Sequence, residues 1–201
     1  MTEPPTPERA ALLARLRLIA AGRSEPATPP EPEIPDDPST EPNALSPAGL
    51  ESIQRRVLDR LAGRAHSRQE LARALAQRGC PEPAVTVVLD RLAAVGLIDD
   101  LAFARAWVEQ RRQRKGLSLV QLGRELRAKG VSADIVEQVL EQSPESDQTV
   151  ALELARSRLS RWSGLERPVW ERRLAGLLSR RGFSPALVRQ VVFQLRDETV
   201  E

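Results

Sequence analysis

The sequence predicts an all-α protein in which three tandem repeats of three helices follow a disordered N-terminal tail. The main observation is a stretch that occurs three times, at Ser67–Cys80, Ser118–Val131 and Trp170–Phe183. Aligned on their glycines, which lie 51 and 52 residues apart, the copies share two leucine columns. A fixed period of this length is typical of repeat architectures. The chain is also rich in Ala, Leu, Arg and Glu, with 3% aromatic residues and no pattern typical of a strand.

The repeated stretch has the pattern of an amphipathic helix that ends at a glycine. Two leucines at i and i+4 share one apolar face, so we expect both to be buried. The glycine supplies the left-handed residue at which many helices stop, and the apolar residue after it can close a Schellman motif. The columns are Leu71, Leu122 and Leu174; Leu75, Leu126 and Leu178; Gly79, Gly130 and Gly182; and Cys80, Val131 and Phe183.

Residues 1–49 are predicted to be a disordered, acidic extension. Eight prolines lie between Ser24 and Pro47, and such a segment cannot bury enough apolar surface to order itself. Residues 8–21 have the pattern of a short helix, which is marginal in water when isolated. This segment is either a transient helix on the tail or a helix that docks on a partner.

The remaining chain divides into repeat 1 (residues 50–98), repeat 2 (99–143) and repeat 3 (144–201). Each contains a first helix, the repeated stretch and a third helix. Besides the repeated stretches, the predicted helices are Leu50–Ala62, Glu82–Val95, Leu101–Arg112, Ala133–Glu141, Thr149–Leu159 and Ala186–Leu195.

Serines stand where several of these helices begin. Ser67 and Glu70 match the S-x-x-E capping box, and Ser132 and Ser184 are suited to cap the third helices of repeats 2 and 3. Pro81 occupies that column in repeat 1, so its cap must differ.

Little in the sequence indicates an enzyme. His66 is the only histidine and is expected to be a surface or capping neighbour, while Cys80 is expected to be a small apolar plug. Asp99–Asp100 is better explained as a helix start stabilised by negative charge than as a metal pair. No phosphate-binding, metalloprotease or dinucleotide-binding motif occurs. We therefore expect no catalytic residue, no cofactor and no metal.

The single cysteine and the lack of a C-x-x-C spacing suit a reducing cytoplasm. No stretch approaches the roughly 18 apolar residues that a spanning helix needs. We expect a cytoplasmic monomer that does not bind membranes.

Charge is strongly segregated along the chain. Residues 1–50 hold eight acids and four bases, a net charge of −4, whereas residues 51–201 hold 26 bases and 20 acids, a net charge of +6. Arg105–Lys129 contains eight bases and two acids, Val131–Glu153 six acids and no base, and Leu154–Arg196 ten arginines and two acids. This segregation favours a face that binds a polyanion or an acidic protein. The alternative is ordinary solvated arginine in an arginine-rich chain.

The bases of repeats 2 and 3 are the candidate binding residues. Arg105 and Arg112 lie one heptad apart, and we place both opposite a buried Phe103/Trp107 stripe. Trp170 is also expected in the core, whereas Trp162 is undetermined between core packing and base stacking. The candidates are Arg105, Arg111, Arg112, Arg114, Lys115, Arg124, Arg127, Lys129, Arg172, Arg173, Arg180 and Arg181, of which Arg111–Lys115 are expected in a loop.

Three segments, HSRQELARALAQRG, VLDRLAAVGLIDDLAFARAWVEQRR and QLGRELRAKGVSADIVEQVL, resemble the RecX family of recombination regulators. The resemblance covers residues 51–195, is most specific at GLIDD followed by F-A-x-x-W-V, and is weakest in the third copy. It implies an elongated, curved array of three-helix repeats and a partner, the RecA recombinase filament on single-stranded DNA. It also implies inhibition of filament growth, ATP hydrolysis, strand exchange and co-protease activity in DNA repair and the SOS response. Direct contact with single-stranded DNA is a further option.

Two other functions compete with this one. Residues 67–98 look like a helix-turn-helix module of a winged-helix transcription regulator. A wing, however, needs a β-hairpin after Ile98, where the sequence predicts a helix. The other alternative, a plain helical interaction scaffold, stays open.

Overall fold

A computed structural model of the chain describes residues 45–162 and 164–198. The described residues form nine helices and no strand, which confirms the predicted fold class. The predicted tail and the possible helix at 8–21 lie outside the described residues, except for the last residues of the tail. The chain divides after Asp99 into two compact units, each of which is described by itself.

The helices form three consecutive triplets. The first triplet is α1 (Pro47–Gly63), α2 (Arg68–Ala76) and α3 (Glu82–Ala94). The second triplet is α4 (Asp100–Lys115), α5 (Leu119–Ala128) and α6 (Ala133–Glu141). The third triplet is α7 (Asp147–Leu159), α8 (Arg167–Arg180) and α9 (Pro185–Glu198). In every triplet the third helix packs against both of the others.

The repeated stretches adopt the predicted conformation in all three triplets. All six leucines of the two columns are at most 1% exposed. Gly79, Gly130 and Gly182 have φ values of 75°, 80° and 88°. The backbone N–H groups of the three following residues donate to the carbonyls of the second leucine column at 3.1–3.2 Å, as a Schellman motif requires. The pairs are Cys80 with Leu75, Val131 with Leu126, and Phe183 with Leu178.

The capping box at the start of α2 is confirmed. Ser67 Oγ accepts from the Glu70 N–H at 3.1 Å, and Glu70 Oε2 accepts from the Ser67 N–H at 3.3 Å. Of the two positions expected for His66, the surface position is wrong, because the residue is only 7% exposed. Its Nδ1 lies 3.7 Å from Glu70 Oε2, so the residue is a neighbour of the cap. The turn that forms the cap therefore carries the histidine inward. Cys80 packs against the core of the first unit, as predicted.

The caps of the third helices follow the prediction in part. Ser184 Oγ accepts from the Leu187 N–H at 3.2 Å. Ser132 occupies the N-cap position of α6, but its side chain makes no capping hydrogen bond. Pro81 stands at the start of α3, also without a side-chain cap.

Helix α4 departs from the prediction in one respect that matters for the candidate surface. It continues through Lys115 and ends at Gly116, whose φ is 56°. Arg114 and Lys115 are therefore not in a loop but in the last helical turn, where positive charge complements the helix dipole. As predicted, α4 stands where a wing would need a β-hairpin after Ile98.

Candidate partner-binding surface

Arg112 is buried, so its predicted outward position is wrong. The residue is 6% exposed, and its Nη1 donates to Asp147 Oδ1 at 2.6 Å and to the Leu117 carbonyl at 3.2 Å. Its Nη2 donates to the Glu145 carbonyl. The acidic connection between α6 and α7 thus encloses the guanidinium, and the same Asp147 oxygen accepts from the Leu119 N–H at 2.9 Å. Arg112 joins the second triplet to the third and is not available to a partner.

Arg111 and Lys129 lie against Trp107 and are also held by internal contacts. The Arg111 Cζ and the Lys129 Nζ are each 4.1 Å from the centroid of the Trp107 ring. The indole N–H donates to Glu125 Oε2 at 2.9 Å, and Arg111 Nε lies 3.3 Å from the same oxygen. Trp107 stacks on Phe103 with centroids 5.9 Å apart, yet it is only half-buried rather than fully within the core. This cluster packs α4 against α5.

Arg181 forms a second connection between the two triplets. Its Nη1 donates to the Lys115 carbonyl, and its own carbonyl accepts from the Ser118 N–H at 3.0 Å. Burial lowers the pKa of Arg181, and the neighbouring positive charges of Arg158 and Arg180 lower it further. Arg181 is therefore a partly buried cation with two positively charged neighbours.

The remaining predicted residues are exposed. Arg105 on α4 donates to Gln142 Oε1 at 3.0 Å across to the end of α6. The other exposed candidates are Arg114 and Lys115 at the end of α4, Arg124 and Arg127 on α5, and Arg172, Arg173 and Arg180 on α8. Of these, the three arginines of α8 line one groove together.

These three arginines border an open groove of about 510 Å³ between α7 and α8, which we call the α7–α8 groove. Among the described residues, no acidic side chain lines it. Its lining includes Arg158, Trp162, Arg172, Arg173, Gly176 and Arg180. None of the four arginines forms an ion pair or a hydrogen bond with any residue in the described part of the chain. The groove thus brings together three of the candidate residues, Arg172, Arg173 and Arg180.

Sequence reasoning missed Arg158 and did not resolve Trp162. Helical spacing gave no signal for this pair, because α7 ends at Leu159 and Trp162 lies beyond its end. Trp162 also packs against the core of the third triplet, so one part of its ring is structural while another borders the groove.

The described residues contain no cluster of three or more His, Cys, Asp or Glu side chains able to hold a metal ion. In the same part of the chain, every helix falls short of the length and apolar character that a membrane span requires.

Comparison with known proteins assigns each triplet to a domain of one family. The models that match are the first three-helix domain of RecX at residues 55–92, the second at 99–140 and the third at 145–192. The regulatory protein RecX of Streptomyces coelicolor is 42% identical over 142 residues, which cover 70% of this chain and 76% of that protein. The protein of the same name from Mycobacterium avium is 43% identical over 155 residues, covering 75% and 88%.

Solved structures show the same fold. The crystal structure of RecX from Lactobacillus salivarius superposes with a TM-score of 0.62 at 18% identity, covering 73% of this chain and 96% of that chain. A crystal structure of a regulatory protein RecX superposes with a TM-score of 0.58 at 24% identity, covering 71% and 70%. With its three domains matched in order and relatives more than 40% identical over most of their length, the chain belongs to the RecX family of regulatory proteins.

Proposed function

We propose that this protein binds RecA filaments on single-stranded DNA and inhibits filament growth, ATP hydrolysis, strand exchange and co-protease activity. It would act in this way during DNA repair and the SOS response, as a cytoplasmic monomer without catalytic activity or cofactor. The observation that carries the proposal is the match of all three RecX domains, in order, across the folded part of the chain.

The surface of the second unit supports the proposal that the partner is negatively charged. Exposed arginines lie on α5 at Arg124 and Arg127 and on α8 at Arg172, Arg173 and Arg180. A row of repeats presents successive surfaces, so one molecule can contact several subunits of a polymer. Steering by such basic faces accelerates encounter with an acidic surface and weakens as salt is raised.

The test is a titration of the full-length protein into RecA-dependent ATPase and strand-exchange reactions. We expect progressive inhibition of both, and anisotropy measurements should show much tighter binding to RecA–DNA filaments than to RecA-free DNA. Equal affinities for the two would remove filament recognition as the main function. Binding to the filament without inhibition would instead support a plain interaction scaffold.

A paired set of variants tests the basic surface. Replacing Arg124 and Arg127 by glutamate should weaken filament binding and leave the helical circular dichroism signal unchanged, because both side chains are exposed. The matched control replaces Arg55 and Arg56, which are exposed on α1, by glutamate. Unchanged inhibition by the α5 variant would show that α5 does not contribute to the contact.

A further inference from the structure

We propose that the α7–α8 groove binds an unpaired nucleic acid strand, with its arginines on the phosphates and Trp162 stacked on a base. The inference rests on the proposed function and extends it, because it gives the single strand inside the filament a direct contact on this chain. The volume of the groove, about 510 Å³, lies within the range of ~300–1,000 Å³ that is usual for ligand sites.

The charge of the groove favours a phosphodiester backbone. The described residues that line the groove include four arginines and no acidic side chain. The arginines are Arg158, Arg172, Arg173 and Arg180. A planar guanidinium donates two parallel hydrogen bonds to phosphate oxygens and stays charged at every physiological pH. Besides burial, the positive charges of Arg158 and Arg180 lower the pKa of the neighbouring Arg181, which indicates repulsion between each of them and Arg181. A strand of phosphates would relieve this repulsion.

The indole distinguishes a nucleic acid from an acidic peptide. Trp162 lines the groove, is only half-buried, and makes no hydrogen bond through its indole N–H with any described residue. An aromatic face beside arginines is the arrangement that binds single strands, because each unpaired base stacks on the ring while the cations follow the backbone. Charge alone would suffice for an acidic peptide, and the bases of a duplex are already stacked on each other.

Trp107 is a contrasting tryptophan in the same protein, because internal contacts cover it. Its ring is covered by Arg111 and Lys129, and its N–H is bonded to Glu125. No carboxylate of the described residues accepts a hydrogen bond from the Trp162 indole. The difference indicates that the second triplet uses its tryptophan for packing, whereas the third leaves part of a tryptophan face to a ligand.

Gly176 allows the groove to form between the arginines of α8. A Cβ atom at this position would lie 3.2 Å from Arg180 Nη1, so the absence of a side chain lets the guanidinium fold back along the helix. Arg180 can thereby face the same space as Arg172 and Arg173.

The experiment uses full-length protein, no RecA, and a fluorescein-labelled oligo-dT strand in an anisotropy titration at several salt concentrations. The test variant is Arg173→Gln/Arg180→Gln, and the matched control is Arg91→Gln/Arg189→Gln, which removes two exposed charges outside the groove. Each phosphate contact contributes a log–log salt slope of about −0.7. We therefore expect the test variant to bind more weakly, with a slope about 1.4 smaller in magnitude, and the control to resemble the wild type.

Trp162 is tested separately. Trp162→Leu should weaken binding by about tenfold, as expected for the loss of one stacked base, and Trp162→Phe should retain most of the affinity. Because Trp162 also packs against the core, circular dichroism must show that Trp162→Leu is folded. If it is not folded, the variant Arg173→Gln/Arg180→Gln alone tests the inference. Equal affinity of the test variant and the wild type would overturn the inference. So would equal binding to a duplex, or full competition by poly-glutamate, which would point to an acidic protein instead.

The two proposals fail in distinguishable ways. If the groove variant binds RecA-free DNA like the wild type while the wild type inhibits strand exchange, the groove is wrong and the proposed function stands. If the groove variant loses binding to RecA-free DNA but the wild type does not inhibit strand exchange, the proposed function is wrong and the groove stands.

Discussion

The second and third triplets are both rich in arginine in sequence, yet they use their arginines differently. In the second triplet, Arg112 is enclosed by the connection to α7, and Arg111 lies on a tryptophan. In the third, Arg173 and Arg180 border an open groove and pair with no described residue. Both triplets also expose arginines, but in the third triplet four of them line one groove. Charge density along a chain is thus a poor guide to binding until the internal partners are known.

The largest expected effect comes from breaking the contact between Arg112 and Asp147, which joins the second triplet to the third. Asp147→Ala would leave the Arg112 guanidinium buried without its carboxylate and would also remove the acceptor for the Leu119 N–H. Loss of one partner from a buried ion pair costs about 3–5 kcal/mol. Because the Asp147 side chain is 26% exposed, we expect about 3 kcal/mol, measured as the free energy of unfolding in urea.

The matched control for this change is Glu153→Ala, an exposed acid on the same helix, which should cost less than about 0.5 kcal/mol. If Asp147→Ala were as mild as its control, Arg112 would be an ordinary surface residue and the contrast between the two triplets would disappear.

Features that depend on neighbouring residues can be predicted from the sequence, whereas contacts between distant segments cannot. Burial of the leucine columns and the glycine caps was predictable because both depend on residues within one helix and the turn after it. The position of Arg112 was missed because the apolar stripe was drawn through Phe103 and Trp107, whereas the buried residues of α4 include Val108 and, four residues on, Arg112. The partner of Arg112, Asp147, lies 35 residues away. Contacts between triplets leave no periodic signal in either segment.

The candidate site follows the same rule. The α8 arginines are close in sequence and could be grouped before the structure was known. Arg158 and Trp162 join them only because α7 packs beside α8. The basic residues predicted from the sequence therefore include part of the groove lining. They also include Arg111, Arg112 and Lys129, whose contacts are internal.

A smaller effect is expected where the third triplet approaches the second. In Gly182→Ala, a Cβ would lie 2.7 Å from Ser118 Oγ and 2.8 Å from Gln121 Cβ, at a φ of +88°. Gly79→Ala has the same type of strained φ, +75°, but nothing within 4 Å of the added atom. Left-handed strain costs roughly 1–2 kcal/mol in both variants, and overpacking adds about 1 kcal/mol at Gly182 alone.

Thermal or urea unfolding of the two glycine variants measures the difference directly. Equal losses would mean that Ser118 and Gln121 move aside at no cost, and that the two triplets meet more loosely than the contacts at Arg181 and Ser118 indicate.

The smallest effect concerns Arg156, an arginine of the third triplet that does have a partner. It donates from Nη2 to Glu198 Oε1 at 2.7 Å, and this hydrogen bond lowers the pKa of the Glu198 carboxyl below its ordinary value near 4.5, aided by Gln194. A carboxyl whose pKa is lower in the folded state stabilises the protein at pH values above its unfolded-state pKa. This contribution is lost as the pH falls through the folded-state pKa. Both side chains are well exposed, so the contribution is small and weakens with salt.

Glu198→Gln should therefore lower the Tm slightly at pH 7 and leave it unchanged near pH 3, relative to the wild type. The double variant Arg156→Gln/Glu198→Gln controls for the loss of each charge by itself. A difference that stays constant from pH 7 to pH 3 would show that the pair does not titrate as described. Arg156 would then count with Arg173 and Arg180 as unneutralised charge, and the third triplet would be basic beyond its groove.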